Sequence, residues 1–198
     1  MSRWPNGDEV WESNRALNRH GDAPEDISLI EPTFALAEDL CAMAAEFVAD
    51  GDDRYRQALD DVQTFVESCA KSAAGADLPP GRVPWSTFWL VRDHQRILGS
   101  CRLRHRLNAH LEREGGHVGY DVRPSERGKG YATEMLRLAL ERAPLFGLTR
   151  VLVTADTANV ASWRVIEKNR GVMESESVSG ETGKLVRRYS IAVGTARG

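Results

Sequence analysis

A mixed α/β domain, with a mostly antiparallel sheet covered by helices, is the fold this sequence predicts. Three observations lead there. Short runs of apolar alternation recur along the chain, among them "DISLIEP", "STFWLVRD", "HVGYDV" and "RVLVTAD". Strand-like runs follow one another through short turns, which favours antiparallel pairing over parallel crossovers. The 198 residues, 41% hydrophobic and 28% charged, suffice for one substantial core.

Taken in order, residues 1–25 are polar and without periodicity, and read as a loosely held N-terminal arm. Residues 26–198 read as a single domain. "DISLIEP" is its first strand. Thr33 caps a helix whose Leu36, Leu40, Met43 and Phe47 share one face. A second helical stripe runs through Tyr55, Leu59, Val62, Val66 and Cys69. "AGADLPPGRVP" holds three prolines and two glycines and is therefore loop. "STFWLVRD" and "RILGSCRLRHRL" form a hairpin turned by "RDHQR", and "HVGYDV" is the next strand. The following helix buries Ala132, Met135, Leu136, Ala139 and Leu140, is stopped by Pro144 and leaves through Gly147. "RVLVTAD" is a buried strand and "NVASWRVIEKN" a short helix. "GVMESESVS" with "KLVRRYSIAV" closes the sheet as an antiparallel pair. The count is about seven strands and four helices.

Bulk properties exclude several function classes. A net charge of −3 supplies no basic field for a nucleic acid. Cys41, Cys69 and Cys101 are odd in number and show no CxxC spacing, which reads as reduced thiols in a cytoplasmic chain without a metal site. The N-terminal residues hold no apolar run, so neither signal peptide nor membrane anchor is expected.

The informative stretch is "RPSERGKGYATEML", residues 123–136, where a basic, glycine-broken loop enters a helix directly behind a strand. Helix starts carry unsatisfied N–H donors and a partial positive charge, so phosphate groups bind there. Glycines let an anion approach the backbone. A Walker A loop is excluded because Lys129 is followed by Gly130 and Arg123 stands where the first glycine belongs. A Rossmann loop is excluded because Thr133 replaces the third glycine and hairpins precede the loop. A basic solvated turn remains the alternative on the loop alone.

These residues resemble the GCN5-related N-acetyltransferase (GNAT) superfamily, in an uncharacterised bacterial branch. Its loop [QR]-x-x-G-x-[GA] is matched by Arg127, Gly130 and Ala132, its preceding V-x-P by Val122, Arg123 and Pro124, and its downstream Asn and Ser by Asn159 and Ser162. The element order follows the family from about residue 26 to residue 193. The resemblance implies a sheet splayed between its fourth and fifth strands, with acetyl-CoA as donor and no metal. It places Tyr120, Asp121 and Val122 beside the pantetheine and thioester. It sets the pyrophosphate on residues Gly128, Lys129, Gly130, Tyr131, Ala132 and Thr133 beside Arg127, with Asn159 and Ser162 near the pantetheine or departing CoA. Asn159 also suits a helix cap.

The activity implied is direct acetyl transfer to a primary amine of a small molecule or peptide. A protein N-terminus or lysine is the alternative acceptor, and a non-catalytic acyl-CoA-binding regulator is the alternative class. A free amine has a pKa of about 10.4 and must lose a proton to attack. The family's usual acid and base positions are vacant, since Ile166, Val118, Gly116 and Thr154 occupy them. His117 and Tyr120 are the catalytic candidates that remain first in line, ahead of His105, Glu114 and Tyr189. Strand alternation sets His117 on the face opposite Tyr120, and Tyr120 and Tyr189 equally suit core packing. Acceptor clues are the acidic run Asp50, Asp52, Asp53, Asp60 and Asp61, the aromatics Trp85, Phe88 and Trp89, and the arginines Arg102, Arg104 and Arg106 on one strand face. Solvated helix ends, core packing and a water-facing strand explain the same residues. Monomer and homodimer both fit the sequence.

Overall fold

A computed structural model describes residues 26–194. The predicted polar arm, residues 1–25, lies outside the described residues. Strands β1 (Ile27–Ile30), β2 (Trp85–Arg92), β3 (Arg96–Arg104) and β4 (Val118–Val122) form one antiparallel sheet in that spatial order. Strands β5 (Arg150–Asp156), β6 (Val172–Val178) and β7 (Leu185–Ala192) form a second, ordered β5-β7-β6. The fold class and the parting between the fourth and fifth strands are as the sequence predicts.

Helices α1 (Ala37–Ala49), α2 (Arg56–Asp60) and α3 (Val62–Ala74) cover one face of the first sheet. There Leu40, Met43, Ala44 and Phe47 pack on Trp89, Val91 and Ile97. Helix α5 (Tyr131–Arg142) covers the opposite face, burying Met135, Leu136 and Ala139 against a core that runs on into β5 and β7. Helix α6 (Val160–Lys168) packs beside α5 and against β5.

The described residues hold six α-helices where about four are predicted, and both extra ones are short. The predicted stripe from Tyr55 to Cys69 is broken at Asp61, whose backbone is extended (φ −154°, ψ 92°). Its carboxylate accepts from Thr64 N–H at 2.9 Å and Thr64 Oγ at 2.6 Å, so local side-chain bonding restarts the helix instead of continuing it. Helix α4 (Ala109–Glu114) starts at Asn108, whose Oδ1 accepts from Leu111 N–H at 2.9 Å. No helix among the described residues is long and apolar enough to cross a membrane.

Candidate functional site

The site begins where β4 and β5 part. At the joint, His117 N–H donates to Leu152 O at 2.6 Å, and Leu152 N–H donates to His117 Nδ1 at 2.9 Å. Gly116, at φ 61°, brings the backbone so close to β5 that a Cβ there would meet Leu152 O at 2.4 Å. Arg104 Nη1 secures this turn by donating to the carbonyls of Gly115 and Gly116 at 3.2 and 2.8 Å. Beyond the joint, β4 pairs only with β3, and a cleft of about 270 Å³ opens along it.

The cleft draws together the predicted residues Tyr120, Asp121, Val122, Arg127, Ala132, Asn159 and Ser162. The predicted Gly128, Lys129, Gly130 and Tyr131 form the loop and helix start between Arg127 and Ala132, with Thr133 in the same first turn. Both glycines are left-handed, Gly128 at φ 79° and Gly130 at φ 91°, and a Cβ on either would meet nothing within 4 Å. Gly130 is the N-cap of α5, and no side chain caps this helix start. On the far wall, Asn159 Oδ1 accepts from Ser162 N–H at 3.0 Å and so caps α6. Tyr120 reaches across the opening, its hydroxyl 2.9 Å from Ser162 Oγ and donating to Ser162 O at 3.2 Å. Burial raises the Tyr120 pKa, so its phenol keeps its proton at neutral pH.

His117 stands at the joint and does not line the cleft. Burial, reinforced by neighbouring Arg104, pushes its pKa down from 6.5 to about 4. It is therefore neutral at physiological pH, and Leu152 N–H occupies its Nδ1. The unfolded chain takes up a proton between pH 4 and 6.5 that folded His117 refuses, so stability rises with pH across that window and is complete above it. The slope from this group is at most about 1.4 kcal/mol per pH unit. Urea denaturation of the protein and of His117→Gln, from pH 4.5 to 7, is expected to show the steeper rise in the unaltered protein. Equal slopes would remove His117 from the joint.

The other candidates lie elsewhere. Tyr189 is buried on β7, its hydroxyl donating to Glu167 at 3.2 Å. His105 stacks on Phe146 at 4.1 Å and meets Ser86 Oγ at 3.0 Å. Glu114 accepts from Ser179 Oγ at 2.5 Å and Gly180 N–H at 2.7 Å. Phe88 and Trp89 are core residues, whereas Trp85 lines a second cavity described below.

Electrostatics around the loop depend on Asp39, Glu46 and Glu126, which the sequence did not single out. Arg123, 1% exposed, donates to both Asp39 oxygens at 2.9 and 3.0 Å and to Glu46 Oε1 at 2.6 Å. Glu46 Oε2 also accepts from Ser125 N–H at 3.1 Å, so α1 holds the beginning of the loop. Burial alone would raise the pKa of Glu46, but the bonds from Ser125 and Arg123 bring it below the ordinary value. Buried Glu126 takes Lys129 at 2.7 Å, which turns that ammonium into the protein. Arg127 pairs with Asp50 at 2.6 Å and lies over the Phe47 ring, 5.8 Å from its centre. The only sequence signal for this network was charge within the apolar stripe of α1.

The acetyltransferase (GNAT) domain model matches residues 29–172. The chain belongs to the GNAT acetyltransferase family. No curated protein matches it. Among solved structures it is similar to the microcin C7 self-immunity acetyltransferase MccE in complex with acetyl-CoA and AMP, at 16% identity and TM-score 0.63 over 84% of this chain and 92% of that one. It is similar to RimL, a ribosomal L7/L12 α-N-protein acetyltransferase in complex with CoA, at 14% identity and TM-score 0.62 over 84% and 94%. It is also similar to RimJ of Mycobacterium smegmatis in complex with a CoA disulfide, at 18% identity and TM-score 0.63 over 84% and 81%. At these identities the likeness carries the fold. Family membership makes this GNAT protein an N-acetyltransferase.

Proposed function

We propose that the protein moves an acetyl group from acetyl-CoA directly to a primary amine of a small molecule or peptide. The observation that carries this reading is the cleft along β4, which ends at the glycine-flanked, uncapped start of α5. A diphosphate fits that start, because the open space over Gly128 and Gly130 admits an anion and the helix offers N–H donors. Arg127 adds a cation on the cleft wall. Val122, Asp121 and Tyr120 on the free edge of β4, with Asn159 and Ser162 opposite, would hold the pantetheine arm.

When bound, acetyl-CoA supplies a thioester open to attack by a neutral amine. Formation of the new C–N bond and cleavage of the C–S bond send one proton from the amine and one to the sulfur. Tyr120, protonated and set at the opening, passes its proton to the sulfur and regains one from water, while the amine's proton leaves to water. His117 takes a positioning role, since it fixes the parting point of the strands from behind. No cysteine lines the cleft, which suits direct transfer. RimL is described as a ribosomal L7/L12 α-N-protein acetyltransferase and MccE as a microcin C7 self-immunity acetyltransferase, and the acceptor class here is argued from this chain's own second cavity below.

The test is release of free CoA thiol on incubation with acetyl-CoA and a panel of amines. Amine-dependent release is expected. Acetyl-CoA binding without turnover across the panel would instead support a non-catalytic acyl-CoA-binding protein. In Tyr120→Phe the ring still fills its place but the proton is gone. Turnover should fall on the order of 10²-fold, with acetyl-CoA affinity largely kept. Unchanged turnover would remove Tyr120 from the chemistry.

A further inference from the structure

Behind the cofactor cleft lies a second cavity of about 150 Å³, between α3 and the sheet. Its floor is polar where a core face would be expected. Strand register sets Thr87, Ser100, Arg102 and Asp121 on the side facing α1–α3. Thr87 and Ser100 are buried at 8% and 4% exposure. Nearer α1 the same face carries Trp89, Val91 and Ile97 and is packed shut. The Ser100 and Thr87 hydroxyls are met by Tyr55 and Cys69 of the same cavity, so the groups left to meet a guest are the charged ones, Asp121 and Arg102.

Asp121 and Arg54 line both this cavity and the cofactor cleft, so their ion pair is the partition between donor side and inner side. Asp121 is the enclosed member, its side chain 12% exposed against 42% for Arg54. Tyr55 donates to the same carboxylate at 3.3 Å, and Arg102 Nη2 lies 3.8 Å from it. Arg102 then continues into a third, outer cavity of about 400 Å³ beside Arg82 and Arg104. The acids of that outer cavity have other partners, Glu114 with Ser179 and Gly180 and Glu181 with His110 at 3.6 Å.

We propose that the inner cavity is the acceptor site and that it selects amines also carrying an oxyanion. The ammonium takes the place of Arg54 on Asp121, and the carboxylate or phosphate sits on Arg102. This rests on the acetyl-transfer reading above. The ammonium on Asp121 is held at the wall shared with the thioester cleft, where its nitrogen must arrive. An acceptor with a second cation would meet Arg102, Arg82 and Arg104 as like charges, whereas an anion near the amine meets them as partners.

The experiment uses the full chain with acetyl-CoA and matched pairs of acceptors, reading kcat/KM from thiol release. Each α-amino acid is compared with the amine lacking its carboxylate, ethanolamine phosphate with ethanolamine, and spermidine serves as the polycation. The oxyanion-bearing member is expected to be preferred by about tenfold or more. Preference within the amino acid pairs identifies carboxylate, and preference within the ethanolamine pair identifies phosphate. In Arg102→Met the ratio within the preferred pair should fall toward one, chiefly through KM, and Arg102→Lys should restore part of it. Acetyl-CoA affinity, read on the same variants by calorimetry, reports whether the donor cleft is intact. Turnover that ignores the oxyanion, or favours spermidine, overturns the selection and leaves acetyl transfer standing. No thiol release with any amine overturns both.

Discussion

Arg123→Met is expected to lower the unfolding free energy by roughly 3–5 kcal/mol, the cost of removing one partner from a buried charge network. The methionine has nothing to offer Asp39 and Glu46, the partners of Arg123 on α1. Arg96 remains within 3.3 Å of Asp39 and 3.6 Å of Glu46, and Ile97 N–H donates to Asp39 at 2.6 Å, so the loss stops short of complete unfolding. A melting temperature lowered on the order of 10 °C should accompany it. The triple variant Arg123→Met, Asp39→Asn, Glu46→Gln removes the stranded charges and is expected to recover much of the loss. Acetyl-CoA affinity should fall with Arg123→Met as well, because Glu46 anchors Ser125 at the loop's entry. Thermal melts of the single and triple variants check the account, and equal melting temperatures for Arg123→Met and the unaltered protein would refute it.

Gly130→Val is the second large effect, and here the loss is in binding. The left-handed backbone at φ 91° strains a β-branched residue by about 1–2 kcal/mol. Its side chain also fills the space over the α5 N-terminus that a diphosphate would occupy. Acetyl-CoA affinity is expected to weaken by about 100-fold or more, an effect larger than the strain alone, since strain is shared by free and bound states. Gly147→Val is the control. It carries comparable strain at φ 74° beyond the opposite end of the helix and far along the chain from the loop. Calorimetric titration should show near-normal affinity for Gly147→Val and little for Gly130→Val. Equal losses would mean that strain, not the anion seat, decides.

Short-range signals carried most of the fold. Alternation along "HVGYDV", the apolar faces of α1 and α5, the stop at Pro144 and Gly147 and the cap at Asn159 are all set by residues within a few positions of one another. The same holds for the loop wall of the cleft, where loop and helix start are contiguous in sequence. What escaped was long-range pairing of charge. Asp39 and Glu46 are charges set beside the apolar stripe of α1, and nothing near them in the sequence names their partner. Only the fold brings Arg123, 84 and 77 positions away, into contact with them. Arg54 and Asp121 meet in the same way across the partition. His117 shows the opposite limit. Its residue type suggested proton transfer, but the close approach of the backbone at Gly116 is what uses its nitrogen.

In the function proposed above, the opening along β4 receives acetyl-CoA, with its diphosphate at the start of α5. A crystal structure of the protein with CoA tests this most directly. Diphosphate oxygens are expected within hydrogen-bond distance of backbone N–H groups between Gly128 and Ala132, with the thiol beside Tyr120 between the parted strands. CoA bound outside the cleft, or β4 and β5 paired along their length with the loop unliganded, would contradict it.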